Sequence, residues 1–245
     1  MTEKVAILTA ASRGIGEACA ELLRNNGYNI GILATSEKGQ EVADRLDGIF
    51  VQGSVDRQCD LEELVSRTTS KWGRIDSIVY GTGHAPWSSG SDLAYNAEAE
   101  YPLLDIPDED WSKSFGILFL GLMQLSRAAL PYLKVRGGSI AVISSFSAVE
   151  PRLNFPASSA IRPAVQSLVK LMADRFGRDG IRINAVLPGF LENWPASQKV
   201  IETIPLGRTG KLKEVAAAVE FLLSPSAGYI TGQSLVVDGG VNRSF

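Results

Sequence analysis

Short apolar runs alternate along the chain with longer segments that carry apolar residues at helical spacing. The runs do not alternate with polar residues, as expected of parallel strands that are covered on both faces. They occupy residues 4–9, 29–34, 49–52, 77–81, 139–145, 181–188 and 234–240. The amphipathic segments occupy residues 14–26, 38–46, 60–72, 111–134, 160–178 and 212–223. This order predicts an α/β fold with a doubly wound parallel sheet.

The chain has the size and composition of one domain. Its 245 residues are 45% hydrophobic, which is enough to bury a large core, and open α/β sheets often reach this length as one unit. Because no repeat or Pro/Ser-rich linker divides it, we expect residues 1–245 to form a single domain. Residues 84–110 are the exception, since they are acidic and lack sustained periodicity. They predict an extended loop, and such a loop in a compact domain is usually functional or mobile.

The charge pattern narrows the class of partner. The formal net charge is -3 with the two signs interspersed, which argues against nucleic acid or membrane as a main partner and favours a small molecule. Cys19 and Cys59 lack CxxC or His spacing, so we expect neither a disulfide framework nor a metal site. No stretch reaches the ~20 apolar residues of a membrane span, and the first residues do not resemble a signal peptide. We therefore expect a cytoplasmic location.

The first strand runs into the sequence TAASRGIG at residues 9–16, and a helix follows. Glycines such as Gly14 and Gly16 let a backbone approach a pyrophosphate, whose charge a helix N-terminus favours. The alternative is a tight strand-to-helix connection without a ligand. The position in the first strand-helix unit favours a nucleotide site.

These and later motifs resemble the short-chain dehydrogenase/reductase family, in particular the β-ketoacyl-carrier-protein reductase type. The family pattern TGxxxGxG appears with Ala10 in place of its first glycine. The likeness continues through ATSE at 34–37, ISS at 143–145, INAVLPG at 183–189 and GYITGQSLVVDGG at 228–240. The resemblance implies a Rossmann-like fold and a homotetramer or homodimer that pairs through residues 111–130, 160–178 and 233–237. It is much less specific for the reaction.

The resemblance also implies a nicotinamide cofactor, and local charge indicates which one. An acidic residue at the end of the second strand would bind the 2′-hydroxyl of NAD, but Ala34, Thr35 and Ser36 stand there. Arg13 resembles the basic residue that binds the 2′-phosphate of NADP. We therefore expect NADP(H) in preference to NAD(H). The alternative for Arg13 is a solvated loop charge.

Further cofactor contacts follow from the matched positions, some of them altered. Ser54 replaces an acidic residue that would hold the adenine, residues 80–83 read YGTG where the family has Asn-Asn-Ala-Gly, and Asn193 replaces a threonine. The complete set of expected cofactor residues is Thr9, Ser12, Arg13, Gly14, Ile15, Gly16, Thr35, Ser36, Ser54, Val55, Gly81, Gly83, Arg162, Pro188, Gly189, Leu191 and Asn193.

The resemblance implies four catalytic positions, and three of them carry another residue. Family members reduce a carbonyl with a tyrosine acid, a lysine that lowers its pKa, a serine and an asparagine. Ser145 matches the serine, whereas Ser158 replaces the tyrosine, Arg162 the lysine and Leu118 the asparagine. A serine is a far weaker acid than a phenol, and arginine can bind ribose hydroxyls but cannot relay a proton.

Pro163 adds a structural expectation. Because proline is best tolerated in the first helical turn, we expect the helix to begin close to it, with Ser158 or Ser159 as N-cap. Residues 154–165 would then contain no side chain that can act as the acid. His84, in the long loop, is the best candidate for another donor. The alternative is a loop histidine that packs on Pro86 or Trp87.

Three functions remain open from the sequence. The first is an NADP(H)-dependent oxidoreductase that acts on a small carbonyl, imine or alkene with an altered proton donor. The second is a nucleotide-binding sensor or scaffold without catalysis. The third is a non-redox enzyme of the same fold: halohydrin dehalogenases carry a Ser, Tyr, Arg set, which Arg162 fits and Ser158 does not.

Overall fold

A parallel sheet forms the centre of the molecule. The computed structural model describes residues 3–82, 103–194 and 196–244. Within them seven strands pair in the order β3-β2-β1-β4-β5-β6-β7, and every pairing is parallel. The strands are β1 Lys4–Thr9, β2 Tyr28–Ala34, β3 Ile49–Gln52, β4 Ser77–Tyr80, β5 Gly138–Ile143, β6 Ile181–Pro188 and β7 Ser234–Val237. The predicted doubly wound parallel sheet is confirmed.

Helices cover both faces of the sheet. They are α1 Gly14–Asn25, α2 Lys38–Arg45, α3 Gln58–Trp72, α4 Asp108–Phe115, α5 Gly121–Leu133, α6 Pro156–Phe176, α7 Gln198–Thr203 and α8 Leu212–Leu223. Neighbouring residues of β1 point to opposite layers: Ile7 packs with the cluster of α3, α5 and α6, and Leu8 with that of α1, α2 and α8. Both are fully buried, which explains why the strands are apolar throughout.

The helix expected at 111–134 is present but begins earlier. It starts at Asp108, continues through a π turn at Gly116–Leu120 and ends at Leu133. Residues 108–110 of the loop expected at 84–110 are therefore α-helical, and Leu103–Asp105 form a 3-10 turn. Residues 84–102 lie outside the described residues. The cause of the earlier start lies in Pro107 as N-cap and in the acidic first turn of residues 108–110, because negative side chains stabilise a helix N-terminus.

By length and composition alone, the helical run Asp108–Leu133 could span a membrane. Core helices of soluble proteins have the same character. In this run Leu122, Leu125 and Leu133 are fully buried in the cluster that covers the sheet.

The expected start of α6 is wrong. The helix begins at Pro156 with Phe155 as N-cap, so Pro163 lies inside it and neither Ser158 nor Ser159 is the N-cap. Pro156 is a better first residue because its fixed φ suits the first turn, where no N–H partner is needed. The Ser159 hydroxyl instead donates to the Arg152 carbonyl at 3.1 Å and accepts from the Arg152 amide at 3.0 Å.

Both cysteines are free thiols. Cys59 is exposed and Cys19 is buried in the α1 layer. Burial raises the pKa of the Cys19 thiol to about 12. The thiol therefore stays protonated at neutral pH and packs as an apolar group.

Candidate active site

The turn between β1 and α1 is closed so tightly that one position must be glycine. A Cβ on Gly16 would lie 2.5 Å from the Ala10 carbonyl oxygen and 2.7 Å from the Ala11 Cα. Arg13 is the N-cap residue of α1 and has an extended backbone. The turn thus brings backbone and a helix N-terminus together at the carboxyl edge of the sheet, which is the geometry that binds phosphate groups.

Ala10 occupies a backbone conformation that favours glycine. Its φ is +54°, in the left-handed region, where a Cβ costs an L-residue roughly 1–2 kcal/mol. The family pattern has glycine at this position. The alanine therefore keeps the shape of the turn at some cost in stability.

Thr9 fixes the crevice between β1 and β4, the neighbours at which the strand order reverses. Its hydroxyl donates to the Gly81 carbonyl at 2.5 Å and accepts from the Gly81 amide at 3.0 Å. Thr9 is fully buried. Its hydroxyl is therefore committed to backbone, and Thr9 shapes the crevice in which open α/β sheets bind ligands.

The end of β2 carries no carboxylate beside the turn. Thr35 and Ser36 are exposed there, and the Ser36 hydroxyl accepts from the Lys38 amide at 3.3 Å. Arg13 is also exposed, and none of the ion pairs within the described residues involves it. This rim is suited to an anion rather than to a neutral sugar hydroxyl.

The segment after β3 is the one that the resemblance assigns to the adenine. Ser54 is half-buried and its amide donates to the Asp60 carboxylate at 2.7 Å, while Val55 is buried. Asp60 thus holds the backbone at a point where the family carries an acidic residue in the segment itself. Ser12 and Ile15, in the β1–α1 turn, are half-buried. The predicted residues Gly83 and His84 lie outside the described residues.

The segment after β6 reaches the glycine turn from the other side. Pro188 pairs with Val237, and a Cβ on Gly189 would lie 2.6 Å from the Asp238 Cβ. Leu191 forms an isolated bridge with Gly210. The Asn193 Nδ2 atom lies 3.4 Å from where a Cβ of Gly14 would stand. The structure therefore brings the two predicted cofactor segments into contact.

Arg162 joins the first turns of α6 to the end of β5. Its Nε donates to the Ser158 hydroxyl at 2.7 Å and its Nη1 to the Ile143 carbonyl at 3.1 Å. The side chain is only 8% exposed. Burial lowers the pKa of Arg162 to about 10, so the guanidinium remains charged at neutral pH.

Ser145 stands two residues after β5. Its hydroxyl accepts from the Ser147 amide at 3.2 Å and from the Ser147 hydroxyl at 3.0 Å. Within the described residues, neither this hydroxyl nor that of Ser158 donates a hydrogen bond. Ser145, Ser158 and Arg162 can therefore donate hydrogen bonds, but none of them is an acid that gives up a proton near neutral pH.

Tyr80, at the end of β4, is a residue that sequence reasoning missed. Its hydroxyl donates to the Ile117 carbonyl at 2.6 Å, inside the π turn. Burial raises the pKa of Tyr80, the charge of Arg162 opposes this, and Asp56 adds to it. This phenol lies close enough to Arg162 for the two to interact, but its proton is held by the helix carbonyl. Tyr80 is therefore unsuited to act as the missing acid.

The space for Tyr80 comes from Gly121 and from the altered helix. A Cβ on Gly121 would lie 2.4 Å from the Tyr80 hydroxyl oxygen, and the Gly121 amide bonds to the Gly116 carbonyl across the π turn. Leu118, at the family's asparagine position, is buried in this turn. A large residue at position 80 and a glycine at position 121 are complementary in size. This complementarity is the sequence signal that could indicate their contact.

Replacing Tyr80 by Phe is expected to lower the free energy of unfolding by about 1–3 kcal/mol, because the half-buried Ile117 carbonyl loses the hydrogen bond from the phenol. Chemical denaturation of both proteins measures the difference. Tyr229→Phe, at a fully exposed tyrosine, is the matched control and is expected to change stability by less than ~0.5 kcal/mol. Equal stabilities of the Tyr80 variant and the parent would contradict the assigned bond.

Known proteins similar to this chain show which family it belongs to. A family model described as Enoyl-(Acyl carrier protein) reductase matches residues 9–242. Granaticin polyketide synthase putative ketoacyl reductase 2 of Streptomyces violaceoruber is 33% identical over 256 residues, covering 97% of this chain and 96% of that protein. The chain belongs to the short-chain dehydrogenase/reductase family. The resemblance found in the sequence is thus confirmed.

Other relatives agree with this assignment over the whole chain. The 3-oxoacyl-[acyl-carrier-protein] reductase FabG of Vibrio cholerae is 32% identical over 249 residues, with 97% of each protein covered. A crystal structure titled short-chain dehydrogenase/reductase SDR: glucose/ribitol dehydrogenase, from Brucella melitensis, superposes with a TM-score of 0.85 at 25% identity, covering 98% of this chain and 97% of that one. Membership of this family of oxidoreductases implies a nicotinamide cofactor.

Proposed function

We propose that the protein is an NADP(H)-dependent oxidoreductase that reduces a small carbonyl, imine or alkene without the usual tyrosine acid. The observation that carries the proposal is the glycine turn. At Gly16 it leaves no room for a Cβ, and it lies beside the exposed Arg13 with no carboxylate at residues 34–36. This combination favours a dinucleotide that carries a 2′-phosphate.

The residues present fit such a cofactor along its length. The α1 N-terminus and the backbone of residues 12–16 would hold the pyrophosphate, and Arg13 the 2′-phosphate. Asn193 and residues 188–189 lie on the side where the resemblance places the nicotinamide. When bound, the nicotinamide group supplies or accepts hydride.

The protein's own donors restrict the substrate. The Ser145 and Ser158 hydroxyls can orient a polar group by hydrogen bonds, and Arg162 adds positive charge. They do not deliver a proton, since a serine hydroxyl is a poor general acid. Substrates that need little protonation as hydride arrives, such as iminium ions and conjugated alkenes, fit these residues better than simple ketones do. Solvent would supply the proton afterwards.

A second candidate is a nucleotide-binding member of the family without catalysis. The observation that favours it concerns the position at which family members carry the asparagine of the proton relay. The residues there are apolar or already hydrogen-bonded to the backbone. Leu118 fills the asparagine position, and Tyr80 donates to the Ile117 carbonyl beside it. Leu118 therefore offers no polar anchor for a water chain to solvent, and Tyr80 has no proton left to donate to one.

Thermal-shift titration with NADPH and NADH, followed by turnover at 340 nm, separates the candidates. A larger shift with NADPH, together with oxidation of NADPH by an imine or enone, supports the proposal. A shift without turnover across carbonyls, imines and enones favours the second candidate. No shift with either nucleotide refutes both and favours a non-redox enzyme.

Replacing Ser36 by Asp is expected to reverse the cofactor preference. The new carboxylate would repel the 2′-phosphate and accept a hydrogen bond from the 2′-hydroxyl of NAD(H), so NADPH affinity should fall at least about tenfold, or ~1.4 kcal/mol. Fluorescence titration measures both affinities. Ser66→Asp adds the same charge at an exposed position of α3 and should leave the preference unchanged. Tight NADPH binding by the Ser36 variant would contradict the placement of the phosphate.

We also propose that the protein is cytoplasmic and forms a homotetramer or homodimer. The faces implied by the family resemblance carry exposed apolar side chains. Leu171 on α6 is 66% exposed, and Leu235 and Val236 on the edge strand β7 are 38% and 37% exposed. Apolar surface of this kind is suited to contact with another copy of the chain.

A further inference from the structure

Arg162 is a buried cation that has unused hydrogen-bond donors. A guanidinium has five N–H donors, and those of Arg162 make two hydrogen bonds with the described residues, from Nε to the Ser158 hydroxyl and from Nη1 to the Ile143 carbonyl. The second hydrogen on Nη1 and both hydrogens on Nη2 have no acceptor within residues 3–82, 103–194 and 196–244. The side chain is only 8% exposed.

No negative charge balances this cation within the described part of the chain. The ion pairs found there all involve other residues. Its electrostatic neighbour Tyr80 stays neutral, because burial raises the pKa of that phenol. A buried charge without a partner is unfavourable, and an anion that reached it would gain strongly.

The guanidinium is held at the carboxyl edge of the sheet. Arg162 is fixed against the Ile143 carbonyl, the last residue of β5, and Ser145 follows two residues later. Because Nε–H and one Nη2–H of a guanidinium point in parallel, a ligand oxygen at Nη2 would stand beside the Ser158 hydroxyl, which accepts from Nε. The Ser158 hydrogen is then free to donate to the same ligand.

We propose that Arg162 and Ser158 bind the carboxylate of the substrate, which makes the substrate class small oxo, imino or unsaturated acids. This deepens the proposed function and rests on it. The planar fork of arginine matches the two oxygens of a carboxylate. A neutral ribose diol at the same donors would leave the buried charge unbalanced, so the substrate anion is the better partner.

Calorimetric titration with acetoacetate and with methyl acetoacetate tests the proposal, since the ester keeps the carbonyl and removes the charge. Both the free protein and the protein saturated with NADPH are titrated. We expect the acid to bind at least about tenfold tighter than the ester in both forms, equivalent to ~1.4 kcal/mol. Equal affinities for acid and ester, or loss of the preference once NADPH is bound, would overturn the proposal in favour of a ribose contact.

Substitutions at Arg162 test whether this residue causes the preference for the acid. Arg162→Gln should abolish the preference for the acid, and its loss of affinity for the acid should exceed any loss of affinity for NADPH. The exposed Arg127→Gln is the matched control and should keep the preference. Should Arg162→Gln fail to fold, Arg162→Lys keeps a positive group without the planar fork, and the acid-to-ester ratio should fall at least about threefold. An unchanged ratio in the folded variant, or weaker NADPH binding in place of weaker acid binding, overturns the assignment. Since NADPH binding is measured separately, failure of the cofactor proposal is seen independently.

Discussion

Gly16→Ala is expected to remove NADP(H) binding and to lower the free energy of unfolding by about 1–3 kcal/mol, the usual effect of overpacking. The added Cβ would lie 2.5 Å from the Ala10 carbonyl oxygen and 2.7 Å from the Ala11 Cα. Both are backbone atoms, so the turn itself must open to admit the methyl group. An opened turn no longer presents its backbone and the α1 N-terminus to a pyrophosphate, and we expect at least about a 100-fold loss of affinity.

Denaturant unfolding and NADPH fluorescence measure the two effects separately. Gly177→Ala is the matched control, because Gly177 has a helical backbone and a Cβ there meets nothing within 4 Å. It should be neutral or more stable by up to ~1 kcal/mol, through a less flexible unfolded chain. A Gly16 variant that binds NADPH as the parent does would show that the nucleotide does not lie on this turn.

Restoring the acid should produce the largest gain in activity. In the double variant Ser158→Tyr/Arg162→Lys, a phenol and an ammonium group would stand at the family's positions, and general acid catalysis typically contributes 10²–10⁴-fold. We therefore expect NADPH-dependent reduction of methyl acetoacetate, a neutral ketone, to rise by about that factor. The reason is that a phenol near a cation loses its proton far more readily than a serine hydroxyl.

The matched control for the restored acid is Ser158→Phe/Arg162→Lys, which brings the same ring without its hydroxyl. It should show no gain, so that only the proton donor differs between the two proteins. Equal rates for the two double variants would show that the missing proton donor does not limit reduction of the ketone. So would a parent protein that reduces the ketone as fast as the restored one.

Much of the fold could be predicted because burial dictates the sequence pattern of parallel strands. Ile7 and Leu8 face opposite layers and both are apolar, so the run cannot alternate as a half-exposed strand would. The start of α6 could not be predicted so well, since Pro156 and Pro163 compete as first-turn residues. Only the packing of the chain shows that the second proline lies inside the helix.

The sequence assigns positions to the candidate site but not the contacts between its residues. The resemblance located Ser145, Ser158 and Arg162, yet no sequence pattern shows that Arg162 Nε is bonded to Ser158. The contact of Tyr80 could not be predicted because its partner, the Ile117 carbonyl, lies 37 residues away in a π turn. Such turns leave little trace in hydrophobic periodicity, although they often occur at functional sites.

The proposed function requires that a nucleotide bind at the glycine turn and that the usual acid be absent from the reaction centre. Titration of the parent protein with NADPH, followed by nucleotide fluorescence, and then mixing of the complex with methyl acetoacetate, tests both requirements in one sample. We expect saturable binding of one NADPH per chain, tighter than that of NADH, and negligible oxidation of NADPH by the ketone. Failure to saturate with NADPH, or rapid oxidation of NADPH by the ketone, would contradict the proposed function.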